Sequence, residues 1–125
     1  MSSTKRNLKK FQSLTSGNMA SASLTSAVTN IELLDNVGVQ INFTGSPVGT
    51  FEIQVSADYD RDAQGNVITA GNWIPISFPT TPAATGSSGQ IYLDMTQLSA
   101  PWIRTVYTRT SGTGSLNVFI TAKMI

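Results

Sequence analysis

The chain has 125 residues, 40% apolar and 12% charged, with a net charge of +1 and neither cysteine nor histidine. That is the length of one domain around one core, and the composition is too apolar and too weakly charged for disorder. The missing residue types exclude a disulfide framework, a thiolate metal site and the Ser-His and Cys-His nucleophile systems.

Residues 1–27 read as a basic arm. Lys5, Arg6, Lys9 and Lys10 give residues 1–31 a charge of +4 with no acid, whereas residues 32–125 set four basic side chains against seven acids, or −3. Leu8, Phe11 and Leu14 fall at helical spacing, so residues 4–14 are expected to form a short helix that orders only on a partner. In this reading Leu8, Phe11 and Leu14 anchor the arm, and Lys5, Arg6, Lys9 and Lys10 guide it electrostatically. The arm lacks the charge density and aromatic interleaving of nucleic-acid tracts, so a protein surface is the expected partner. No apolar stretch of signal-peptide length follows the basic start, and no segment approaches a membrane span. The chain is therefore expected to be made in a cytoplasm, with no membrane partner. Deleting residues 1–27 is expected to leave a folded domain, residues 28–125, that no longer joins its assembly.

Beyond the arm the period becomes two. A strand is expected near residues 28–33. Val37, Val39, Ile41 and Phe43 alternate with Gly38, Gln40 and Asn42, and Phe51, Ile53, Val55 and Ala57 alternate with Glu52, Gln54 and Ser56. The same pattern returns at Ile74, Ile76 and Phe78, at Ile91, Leu93 and Met95, and at Leu116, Val118, Ile120 and Ala122. Half-buried antiparallel strands read this way. Glycine-rich segments at 85–89 and 111–114 supply the positive φ of tight turns, and 45–49 is expected to join two strands as a hairpin loop. With a further strand near residues 102–110, seven or eight strands are expected. The fold class is all-β: an antiparallel β-sandwich or jelly roll with an extended N-terminal arm.

Asp58, Asp60 and Asp62 form the one metal-like constellation, since alternating carboxylates can wrap a hard cation. The match to a helical calcium loop is poor: Gly65 falls at the eighth position rather than the sixth, and Thr69 stands where a bidentate Glu is needed. A polar hairpin whose Asp side chains accept from nearby backbone N–H groups is the expected structure. No metal and no cofactor are expected.

Trp73 and Trp102 could stack on sugars, but each adjoins an apolar strand and is expected at the core or its rim. On the 102–110 strand, Trp102, Arg104, Val106 and Thr108 share one face, and Ile103, Thr105, Tyr107 and Arg109 the other. Asp94 on the preceding strand is the expected ion-pair partner of Arg104. Asn42-Phe43-Thr44 fits a glycosylation acceptor but reads as strand sequence. The seven acids lie mostly on strand faces or in one loop with no evident cleft, so no enzymatic activity is expected.

Three stretches carry a resemblance: Gly71-Asn72-Trp73-Ile74-Pro75-Ile76, Tyr92-Leu93-Asp94-Met95, and the run from Trp102 through Tyr107 and Ser111-Gly112-Thr113-Gly114 to Val118. Together they resemble small structural proteins of tailed bacteriophages, in which a Trp strand, a Leu-Asp strand, an Ile-Arg-x-x-Tyr strand and a Ser-Gly-x-Gly hairpin recur. The resemblance covers about residues 37–125 and leaves out the arm. It implies a β-sandwich virion component: an accessory or decoration protein on the capsid, associating with itself and with other virion proteins such as the major capsid protein. The alternative is a carbohydrate- or receptor-binding module of a phage tail or fibre.

Overall fold

The computed structural model describes residues 8–32, 34–96 and 98–123. Among the described residues, twelve strands run in chain order: β1 (Lys9–Asn18), β2 (Ser23–Thr25), β3 (Thr29–Asn30), β4 (Asn36–Gly45), β5 (Val48–Ser56), β6 (Asp60–Arg61), β7 (Val67–Thr69), β8 (Ile74–Pro75), β9 (Ala83–Thr85), β10 (Gly89–Met95), β11 (Trp102–Ser111) and β12 (Gly114–Lys123). The first sheet has the order β1-β12-β4-β10. In the second, β11 and β5 pair at the centre; β2 and β3 line the outer edge of β11, and β8 and β9 that of β5. β6 and β7 form a small separate hairpin. Every pairing is antiparallel. The expected fold class, an antiparallel sandwich, is the one found.

Period-two alternation builds the core, because every second side chain of a strand points to one face. From the first sheet come Val37, Val39, Ile41 and Phe43 of β4 and Leu116, Val118, Ile120 and Ala122 of β12. From the second come Phe51 and Ile53 of β5 and Ile103 and Tyr107 of β11. The sheets meet ring to ring at Phe43 and Phe51, 5.5 Å between centroids, and Phe51 packs on Tyr107 of its own sheet at 5.0 Å. Ile74 departs from the expected pattern. Of the expected 74–78 strand only Ile74–Pro75 forms a ladder with β5, and Ile74 points outward at 63% exposure while Ile76 and Phe78 pack on the core.

The expected hairpin at 45–49 is instead a corner between sheets, and so is the turn at 111–114. β4 and β12 belong to the first sheet, and β5 and β11 to the second. The two corners hold each other: the Ser46 N–H donates to the Thr113 carbonyl at 2.9 Å. Gly112 (φ 78°) lies so close to Pro47 that a Cβ there would collide with the Ser46 carbonyl oxygen. Only glycine combines positive φ with that approach.

Residues 9–25 are built into both sheets rather than standing off from them. The expected helix is replaced, from Lys9 onward, by β1, which lies along the open edge of β12 with Lys10 opposite Thr121 and Phe11 opposite Ile120. Phe11 and Leu14 both reach the core despite their odd spacing, because the register shifts between Gln12 and Leu14. The extra residue restores the face that a regular strand would have lost. Residue 27 is consequently no boundary: the Ala27 N–H donates to Ser13 (2.8 Å) and the Ser26 N–H to Thr105 (2.9 Å). Removing residues 1–27 would strip the edges of β12 and β11, against the expectation that a folded domain remains.

Candidate functional site

Two exposed faces concentrate the chemistry, one on each sheet. On the second sheet, β11 directs Trp102 and Arg104 outward, and the loop and β6–β7 hairpin after β5 fold over them. Tyr59 lies at the centre. Its ring meets Trp102 edge-on at 4.9 Å and Trp73 at 5.5 Å. The Arg61 guanidinium caps Trp102 at 4.9 Å, and that of Arg104 caps Trp73 at 4.2 Å. The result is a continuous stack: Arg61, Trp102, Tyr59, Trp73, Arg104. Each arginine is held further, Arg104 by donating from Nε to Gln54 Oε1 at 2.7 Å and Arg61 by donating to the Val28 carbonyl at 3.2 Å. Partial burial pulls the Arg104 pKa below its ordinary value.

Both tryptophans lie on the outer face of the second sheet, outside the hydrophobic core, so the expected place at the core or its rim is not where they are found. Trp102 is buried, and Trp73 gives a face to Arg104 and its indole N–H to the Ala70 carbonyl at 3.1 Å. The Asp94–Arg104 ion pair is not formed. The chain crosses between sheets after β10, so Asp94 lies on the outer face of one sheet and Arg104 on that of the other. The sequence leaves Tyr59 ambiguous between a stacking and a packing role, because its place between two aspartates marks it only as part of a polar loop.

The three loop aspartates serve separate local roles. Asp58 accepts from Ser56 Oγ (2.9 Å), the Asn72 N–H (2.8 Å) and Asn72 Nδ2 (2.7 Å), so it ties the two ends of the excursion that carries Tyr59 and Trp73. The Asn72 backbone bond is the chief reason that its carboxyl sits below the ordinary range. Asp60 accepts from the Arg61 N–H. Asp62 closes the hairpin by accepting from the Gln64 and Asn66 N–H groups, the latter bond being the main cause of its own lowered pKa. Among the described residues, no three His, Cys, Asp or Glu side chains gather where they could share a metal ion.

The outer face of the first sheet is different. Register places three rows across β10, β4 and β12: Gln90, Asn42 and Asn117; then Tyr92, Gln40 and Phe119; then Asp94, Gly38 and Thr121. Tyr92 reaches diagonally across β4, passes over Gly38 and meets Thr121 Oγ1 at 3.2 Å. It remains 56% exposed. A trough of about 300 Å³ opens on one side of it, walled by Asn36, Asp94, Thr96, Thr121, Lys123 and Leu8. A second, about 340 Å³, lies beyond Gln40 along the row of Gln90, Asn42 and Asn117.

Of the arm residues expected to bind a partner, Lys5 and Arg6 lie outside the described residues. Phe11 and Leu14 pack on the chain's own core. Leu8, Lys9 and Lys10 stay exposed at the start of β1.

No protein-family model and no curated protein matches the sequence. Solved structures share the fold. The SPBc2 prophage-derived protein YomS is 10% identical with a TM-score of 0.51, over 91% of this chain and 92% of that one. A chain of infectious bursal disease virus, Gt strain, is 10% identical with a TM-score of 0.50, over 93% of this chain and 31% of that one. The chitosan-binding module 1 of a Paenibacillus chitosanase/glucanase reaches 19% identity and a TM-score of 0.49, over 89% and 74%. At such identities the likenesses to the prophage and virus chains concern the fold alone, a β-sandwich.

Proposed function

We propose that this chain is a structural protein of a tailed-phage virion, an accessory protein that decorates the capsid. It is made in the host cytoplasm, associates with further copies of itself and with the major capsid protein, and has no enzymatic role and no cofactor. The observation that carries this reading is the extent of the shared sandwich: one such domain accounts for nine-tenths of this chain and of the prophage protein alike. The residues behind the resemblance to phage structural proteins fit an architectural role. Ile103 and Tyr107 fill the core, and Gly112 forms the corner.

The arm keeps a part in this proposal, with fewer anchors. Phe11 and Leu14 are engaged internally, so docking falls to Leu8, Lys9 and Lys10 at the start of β1, with Lys5 and Arg6 before them. Basic side chains near an edge strand also discourage indiscriminate strand pairing.

The test is co-sedimentation of the purified full chain with phage particles lacking it, beside a variant without residues 2–7 and with Lys9→Ser and Lys10→Ser. The full chain is expected to pellet with particles at fixed stoichiometry and the variant to stay in solution. A full chain that never pellets would overturn the virion reading. A variant that pellets equally well would overturn the role of the arm.

A further inference from the structure

We propose that the outer face of the first sheet is a saccharide-binding surface, with Tyr92 as its stacking platform. The inference is independent of the virion reading: particle binding can fail while this site stands.

Tyr92 is an outward residue of an edge strand, where nothing in the packing calls for a large ring. Yet its position is prepared. A Cβ on Gly38 would collide with the Tyr92 hydroxyl and come within 2.6 Å of Cζ. Glycine inside a ten-residue strand costs backbone entropy and offers nothing to pack, so it marks a close approach. The approaching group is this ring. Its hydroxyl is then tied to Thr121, two strands away. The ring therefore lies along the sheet, held at its tip, with its outer side in water. An aromatic ring fixed before a ligand arrives loses little entropy on binding, and tyrosine supplies flat contact area with few rotamers to freeze.

The surroundings define the ligand. Gln90, Asn42, Asn117, Gln40 and Thr121 carry amides and a hydroxyl, which both donate and accept hydrogen bonds. The charges of Asp94 and Lys123 oppose each other. A neutral ligand with many hydroxyls and an apolar flank matches this set: a pyranose ring stacks its C–H face on an aromatic ring and meets amides at its edges. Anions would find one ammonium beside a carboxylate. The troughs on both sides of the Tyr92 row are near the lower size of small-molecule sites, about 300 Å³, and suit a chain of sugars lying across the platform rather than a single enclosed ring.

The probes are neutral hexasaccharides of glucose, mannose and N-acetylglucosamine, added to the full-length ¹⁵N-labelled chain and followed by NMR. At least one is expected to shift the amides of Gln90, Tyr92, Asn117 and Thr121, and to leave those around Trp73 unmoved. Tyr92→Ala is expected to weaken that binding about tenfold, the scale of one lost aromatic contact. Gly38→Ala keeps the tyrosine but lifts its ring, and is expected to weaken binding as well. Tyr92→Phe keeps the ring and should retain most of the affinity. The proposal is overturned if none of the three sugars shifts this face, if the shifts map to Trp73 instead, or if Tyr92→Ala and Gly38→Ala bind as the parent does.

Discussion

The two outer faces of the sandwich use aromatic residues in opposite ways. On the second sheet, Trp102, Tyr59 and Trp73 are stacked on one another and capped at both ends by Arg61 and Arg104. Their rings are consumed by contacts within the chain. On the first sheet, Tyr92 has a polar partner at its tip and an open side. The lesson concerns availability. A tryptophan in a strand-rich sequence invites a binding role, but a ring whose neighbours already cover it is part of the fold, while a tyrosine with one side left open above a strand glycine can receive something. Stability measurements separate the two faces.

Trp102→Ala should have the largest effect. Trp102 joins Tyr59 to Arg61 and is buried on the outer face of β11. Its loss leaves a cavity and releases the hairpin that folds over it. The expected cost is about 3–5 kcal/mol, read from urea unfolding at constant slope. A cost below about 1 kcal/mol, the range of ordinary surface changes, would break the contrast, because the stack would then be ornamental.

Arg104→Ala should come next. The guanidinium covers Trp73 and bonds to Gln54, and an exposed cation–π contact is worth roughly 0.5–1 kcal/mol. Arg104→Lys should recover only part of that loss, since an ammonium neither stacks as a plane nor bonds Gln54 from Nε. Acid should loosen the same region. Asp58 has a lowered folded pKa, held there by the Asn72 N–H. Its stabilising bonds are present above the unfolded carboxylate pKa of about 3.9 and are lost as pH falls through the lower folded value. The Asn72 amide is expected to lose hydrogen-exchange protection over that acid range in the parent. In Asp58→Asn that pH dependence should vanish.

Much of the sandwich was legible because alternation is a local signal. The inward residues of β4, β10 and β12 follow directly from their spacing. The sheet to which each strand belongs was not legible: a Gly-Ser-Pro corner between sheets and a hairpin within one sheet use the same turn residues, and the difference lies in Gly112 meeting Ser46, a contact between residues far apart in sequence. The Asp94–Arg104 pair failed for that reason. β1 was misread because Phe11 and Leu14 sit at helical spacing, and a register shift gives a strand the same result. At the candidate site one clue was present. Gly38 interrupts a run of valines at an outward position, where a glycine signals something lying close above it. What lies there depends on the diagonal from β10 across β4, which only the register supplies.

The smallest expected effect is the sharpest test of the contrast. Tyr92→Ala removes an exposed ring whose one hydrogen bond is at the surface, and should change stability by no more than about 0.5 kcal/mol. Gly38→Ala is more telling. The atom in the way of a new Cβ is the end of a movable side chain rather than backbone, so the strand itself has room. Exchanging a strand glycine for alanine removes roughly 0.5–1 kcal/mol of backbone entropy cost, which the displaced Tyr92–Thr121 bond should only partly offset. The variant is therefore expected to melt at or slightly above the parent temperature. A fold that gains or keeps stability when Gly38 is replaced does not need glycine there for itself. The remaining reason for that glycine is the ring it seats. A loss above about 1 kcal/mol in Tyr92→Ala would show instead that Tyr92 is structural, and the two faces would then be alike.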